Sequence, residues 1–116
     1  MELEQHYKML TESLKLLASS LEEQEKYLPD FADVPDDVTS CFENTFLLLP
    51  ALIENNKFSY NSIAPILRLY NKMQWCLRNV DLYDFSNAEW NKVREMARDT
   101  LQIMGEPLGN PEPGYI

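Results

Sequence analysis

The chain has 116 residues, 45 % of them apolar, with 19 acids against 10 bases and a net charge of −9. That length suits one domain with a single core, and the apolar share argues against disorder. Phosphate recognition needs clustered Lys and Arg, so nucleic acid and anionic membrane surfaces are disfavoured and a cationic partner is favoured.

The charge is unevenly placed. Residues 1–54 carry 12 acids and 3 bases, whereas residues 55–116 carry 7 of each, so the whole excess lies in the first half. The opening MELEQHYKML has neither a basic nor an apolar leader region and does not read as a secretory signal. The longest apolar run, Phe46 to Ile53, is interrupted by Pro50 and falls far short of the roughly 20 residues that span a bilayer. Cys41 and Cys76 have no CxxC spacing. A cytoplasmic protein with reduced, structural thiols is the reading that follows.

In chain order, Leu3, Tyr7, Leu10, Leu14, Leu17 and Leu21 recur in steps of four and three, with Leu28 one heptad on. This stripe predicts a helix over 2–27, stopped by Pro29 because the residue before a proline is pushed out of helical conformation. A second helix is predicted over 35–54. Asp33 is placed to cap it, Pro35 fits its first turn, and Asp36 and Asp37 suit the positive end of the dipole. Its stripe is Val38, Phe42, Phe46, Leu49 and Ile53, with a kink or break expected at Pro50.

A third helix over 61–80 follows from Ile63, Ile66, Tyr70, Met73, Leu77 and Val80, with Pro65 in its first turn. For the fourth, over 87–104, FSNAEW supplies Ser86 as cap, Glu89 as the answering acid of a capping box, and Phe85 and Trp90 as a hydrophobic staple. Gly105 is placed to end it. The remaining EPLGNPEPGYI is too rich in Pro and Gly for regular structure. The fold expected is all-α: a single-domain antiparallel bundle of about four helices over 1–105, with an irregular tail over 106–116.

Catalytic constellations are scarce. His6 is the single histidine, at the edge of the first stripe, and advertises no triad or zinc partner. Glu22 and Glu25 have the ExxE spacing with which helical nucleotide pyrophosphohydrolases hold magnesium, but Glu95 and Asp99 are one residue too far apart for the second pair. The run DFADVPDD lacks the alternation of an EF-hand loop and has Pro35 where that loop needs glycine. No metal, cofactor or enzymatic activity is expected.

The stretch EEQEKYLPDFADVPDD sets seven acids against one lysine and threads Tyr27, Leu28, Phe31 and Val34 among them. Helix-end chemistry accounts for Asp36 and Asp37. Glu22, Glu23 and Glu25 would sit in the last turns of the first helix, where the dipole disfavours them by about 0.3–1 kcal/mol each. A sequence that violates a local rule does so where function demands it. The segment therefore reads as a docking surface: Glu22, Glu23, Glu25, Asp30, Asp33, Asp36 and Asp37 supply charge, and Tyr27 and Phe31 supply apolar anchors. Trp75 lies opposite the third stripe, in a row with Arg68, Lys72 and Asn79, the composition of a binding hot spot. A central, doubly covered helix would make it core instead.

In size, acidity, helical content and the cluster from Glu22 to Asp37, the chain resembles the small helical immunity proteins of contact-dependent inhibition and bacteriocin systems. The resemblance implies a non-catalytic protein that occludes the basic surface of a toxin domain, often a nuclease. It is at class level. The helical DNase-immunity family has a paired-tyrosine motif, whereas Tyr27-Leu28-Pro29 offers one tyrosine, so no residue role carries over. The alternative function is a structural or adaptor bundle whose acids maintain solubility; a magnesium-dependent pyrophosphohydrolase-like enzyme is third.

Overall fold

The structure is a computed structural model that describes residues 2–112. The described residues form six helices and no strand: α1 (Leu3–Ala18), α2 (Leu21–Tyr27), α3 (Val34–Phe46), α4 (Leu49–Glu54), α5 (Tyr60–Asn79) and α6 (Ala88–Met104). The all-helical expectation is met. The count differs, because each of the two helices predicted in the first half is divided in two.

The helix predicted over 2–27 breaks at Ser19 and Ser20. Short hydroxyl side chains compete for backbone hydrogen bonds. Ser19 Oγ turns back to the Lys15 carbonyl at 2.8 Å, and Ser20 leaves helical conformation to cap α2. Its hydroxyl accepts from Glu23 N at 3.2 Å while its own N–H donates to the Glu23 carboxylate at 3.1 Å, a closed capping box. The heptad stripe from Leu3 to Leu28 is continuous across this break, which is why periodicity alone overlooked it. Leu28, the residue before Pro29, ends α2 in extended conformation as expected.

α3 is capped as predicted: Asp33 accepts from Asp36 N at 3.2 Å, and Pro35 lies in the first turn. The break associated with Pro50 comes at Leu47–Leu48, ahead of the proline itself. A proline ring collides with the carbonyl four residues earlier, here Phe46, so the first helix ends there and Pro50 opens the next. α5 begins at Tyr60, which puts Pro65 in the second turn rather than the first.

α6 is capped by Asn87, not Ser86. Asn87 Oδ1 accepts from Glu89 N at 2.8 Å, and the Glu89 carboxylate pairs with Lys72 and Lys92 instead of returning to a cap. The expected aromatic contact does form: the Phe85 and Trp90 rings lie 4.8 Å apart. Gly105 (φ 79°) ends the helix in a Schellman motif, with Glu106 N–H to the Leu101 carbonyl and Gly105 N–H to the Gln102 carbonyl.

α6 packs between α5 and α1, and α1 turns its other side to α3. Leu10, Leu14 and Leu17 of α1 meet Val38 and Phe42 of α3, Leu69 and Met73 of α5, and Trp90, Val93 and Ala97 of α6 in one core. Phe46 stacks on Tyr70 at 3.9 Å, and Phe42 meets both rings edge-on. Two polar pairs are buried with the apolar residues. Ser13 and Thr45 hydroxyls join α1 to α3 at 2.7 Å. Gln24 Oε1 accepts from Arg94 Nε and Nη2, tying α2 to α6.

Over residues 106–112 the chain is irregular and returns along α1. Tyr7 donates to Glu106 at 2.8 Å, Glu112 N–H donates to the Glu12 carboxylate at 2.8 Å, and Pro111 is buried. Of the tail expected over 106–116, residues 113–116 lie outside the described residues.

Candidate functional site

The acidic segment folds as α2, a tight link, and the first turn of α3. The link is a turn over Pro29-Asp30-Phe31-Ala32, closed by Ala32 N–H to the Pro29 carbonyl at 2.9 Å. Asp30 and Phe31 occupy its two corner positions, and both are exposed. That placement leaves Phe31 91 % exposed, the highest value among the large exposed apolar side chains.

The seven acids divide into two sets. Glu22 pairs with Lys26 at 3.6 Å, Glu23 closes the Ser20 capping box, and Asp33 caps α3. The Ser20 N–H and hydroxyl hold the Glu23 carboxyl below its ordinary range. Glu22 and Glu23 therefore occupy the first turn of a helix, where the dipole favours them, and not the last turns of α1. The expectation that they work against local stability is overturned, because the Ser19–Ser20 break converts a C-terminal position into an N-terminal one. Glu25, Asp30, Asp36 and Asp37 form the second set: among the described residues their carboxylates enter no ion pair or hydrogen bond.

The aromatic residues are also distributed differently from each other. Tyr27 is half-buried, and its hydroxyl donates to Asn110 of the tail and, at 3.4 Å, to Glu23. It fastens the tail rather than standing free. Trp75 is 42 % exposed, so α5 is not covered on both sides, and Lys72 Nζ sits 4.2 Å over its ring. α5 packs against α6, whereas α2 packs against α3, and no described hydrogen bond, ion pair or ring contact joins Trp75 to the acidic segment. Trp75 belongs to a separate exposed face that it shares with Tyr60, Leu67, Arg68 and Arg78.

A groove of about 360 Å³ opens beside Phe31. Leu16 of α1, Leu28, Pro29 and Ala32 of the link, and Asp37, Ser40, Cys41 and Asn44 of α3 line it. Asp37, Cys41 and Asn44 fall on one helical stripe by their spacing of four and three. Cys41 is a free thiol whose pKa is raised by burial first and by the neighbouring Asp37 charge second. Leu16, Cys41 and Asn44 carried no signal in the sequence, since a groove between elements has no periodicity of its own.

A second cavity, of about 290 Å³, lies where the tail crosses α1, α2 and α6. Its two cations are engaged: Lys15 pairs with Glu12 at 3.2 Å, and Arg98 donates to the Ala18 carbonyl at 2.7 Å. His6 is half-buried, and its Nδ1 lacks a hydrogen-bond partner among the described residues. Among the described residues no three His, Cys, Asp or Glu converge as a metal-ligand set, and no helix is long and apolar enough to cross a membrane. No family model matches the chain, and no curated protein or solved structure matches it either.

Proposed function

We propose that this chain is a non-catalytic, cytoplasmic binding protein whose acidic α2–α3 surface docks a cationic protein, in the manner of an immunity protein that occludes a toxin domain. In this reading α1, α3, α5 and α6 serve as an antiparallel four-helix frame that holds the surface rigid. One observation carries it: among the described residues Glu25, Asp30, Asp36 and Asp37 are carboxylates without internal partners, on the same α2–turn–α3 segment as an almost fully exposed Phe31. Charge that served only the fold would be matched within it, as it is at Glu22, Glu23 and Asp33.

The mechanism is steric and electrostatic. A nuclease holds a polyphosphate, so its cleft is basic, and carboxylates seated there compete with the substrate. Opposite charge also speeds capture. Partner binding by the α5 face around Trp75 would be a separate contact. A structural or adaptor bundle is the competing reading, under which the unpaired acids provide solubility alone.

The test is to recover a basic protein with the chain from its native cell and to measure association kinetics against it at two salt concentrations. Glu25→Gln, Asp30→Asn and Asp36→Asn together should lower the association rate at low salt and leave the helical spectrum unchanged. Wild-type binding should weaken as salt shortens the electrostatic reach to about 8 Å at physiological ionic strength. Equal association rates for the two proteins at low salt would overturn the docking role and leave the solubility reading.

A further inference from the structure

The acids alone define a charged patch; the groove beside them defines what kind of segment fits. We infer that the groove between α1, the Pro29–Ala32 turn and α3 receives a leucine-sized or aromatic side chain, projecting from a cationic segment of a protein partner. This inference rests on the docking reading above and gives that partner its chemistry.

Most of the lining is apolar, with Asp37, Ser40 and Asn44 as its polar members. Leu16, Leu28, Pro29 and Ala32 present carbon, and Cys41 behaves as a small apolar group while its thiol stays protonated. At about 360 Å³ the space is at the small end of the range for ligand pockets, enough for one or two side chains. The rim is acidic. Asp37 borders the groove directly, and Asp30 and Asp36 stand exposed on the adjoining turns.

The occupant must bring its own cations. Lys26 is the one base in the segment and is paired with Glu22. Lys8, Lys15, Lys72 and Lys92 are held by acids elsewhere in the fold, while the exposed Lys57 lies between α4 and α5 and the exposed Arg68 and Arg78 lie on the separate α5 face. Phe31 stands at the mouth of the groove and is the residue with the most apolar surface to lose on docking. An apolar anchor ringed by charge pairs is the usual distribution of binding energy at an interface, with the anchor supplying affinity and the charges supplying approach.

Two synthetic peptides of equal charge separate the two contributions: lysine-flanked Leu-Trp-Leu and lysine-flanked Ser-Gly-Ser. Affinity is read by fluorescence anisotropy, and occupancy of the groove by the alkylation rate of Cys41, with the fully buried Cys76 as an internal control. The Leu-Trp-Leu peptide should bind at least about tenfold more tightly and slow Cys41 alkylation in proportion to occupancy. Phe31→Ala should remove most of that preference, and Asp30→Asn with Asp37→Asn should weaken both peptides alike. Circular dichroism checks that each variant keeps its helices.

Equal, acid-dependent binding of the two peptides overturns the groove and leaves the charged surface standing. Binding of neither overturns both. Cys41 protection that grows with protein concentration in the absence of peptide gives the groove to a second copy of the chain, and overturns a cationic partner there.

Discussion

Gln24 and Arg94, seventy residues apart, meet in the interior: the Gln24 amide oxygen accepts from Arg94 Nη2 at 3.2 Å and from Nε at 3.4 Å. The same guanidinium donates to the Phe85 carbonyl and to Asn91 Oδ1, and lies 4.6 Å over the Phe85 ring. Burial lowers its pKa to about 10, with the nearby Arg98 charge adding to the effect, so it remains charged at neutral pH. On the other side, Gln24 Nε2 donates to the Leu16 carbonyl at 3.0 Å, at the end of α1. One buried polar network thus fixes α2 to α1, to α6 and to the loop that precedes α6, and thereby holds the acidic surface in place.

Gln24→Ala should destabilise the protein by about 2–3 kcal/mol, because it leaves a buried guanidinium short of an acceptor. A double-mutant cycle with Arg94→Leu should return a coupling of about 1–3 kcal/mol, read from denaturant unfolding. Independent, additive losses would mean that the two residues do not act as a unit.

The caps can be separated by single substitutions. Asn87→Ala and Ser20→Ala should each cost about 1 kcal/mol, since each removes an acceptor from the first turn of a helix. Ser86→Ala should stay within about 0.5 kcal/mol, because its hydroxyl caps nothing. A larger loss at Ser86 than at Asn87 would move the start of α6 back by one residue.

Glu12 gives the fold an acid sensitivity. Burial pushes its carboxyl up, but the Glu112 N–H, Lys8 and Lys15 outweigh burial and hold the pKa below the usual 4.5. A depressed folded pKa contributes stability that is fully present above 4.5 and is lost as pH falls through the folded value. Unfolding free energy should therefore drop below about pH 4.5, and the drop should be shallower in Glu12→Gln. An unchanged slope in that variant would place the acid sensitivity on other carboxylates.

The tail should prove to be part of the fold. Truncation after Gly105 removes the Glu106 contact with Tyr7, the Asn110 contact with Tyr27 and the Glu112 N–H at Glu12. The midpoint of thermal unfolding should fall, and amide exchange should quicken in α1 and α2 while α5 keeps its protection. Equal protection in α1 with and without the tail would show that these contacts add nothing.

Apolar periodicity, with the local chemistry of proline and glycine, determined that the described chain is helical, where α5 and α6 run, where α3 starts, and that Pro29 and Gly105 mark helix ends, because these follow from local sterics and spacing. The Ser19–Ser20 break was also written locally, as a second S-x-x-E signature, but a continuous leucine stripe concealed it. That break reverses the meaning of Glu22 and Glu23, which help start α2 rather than strain the end of α1. The sequence located the acids and Phe31 without distinguishing which acids the fold consumes. Only the tertiary structure decided that Glu25, Asp30, Asp36 and Asp37 remain unpaired among the described residues, that Tyr27 is taken by the tail, that Trp75 faces elsewhere, and that Leu16 and Cys41 line a groove. Those outcomes depend on contacts between residues far apart in the chain, such as Gln24 with Arg94, and a pattern read along one strand of sequence carries no record of what lies across from it.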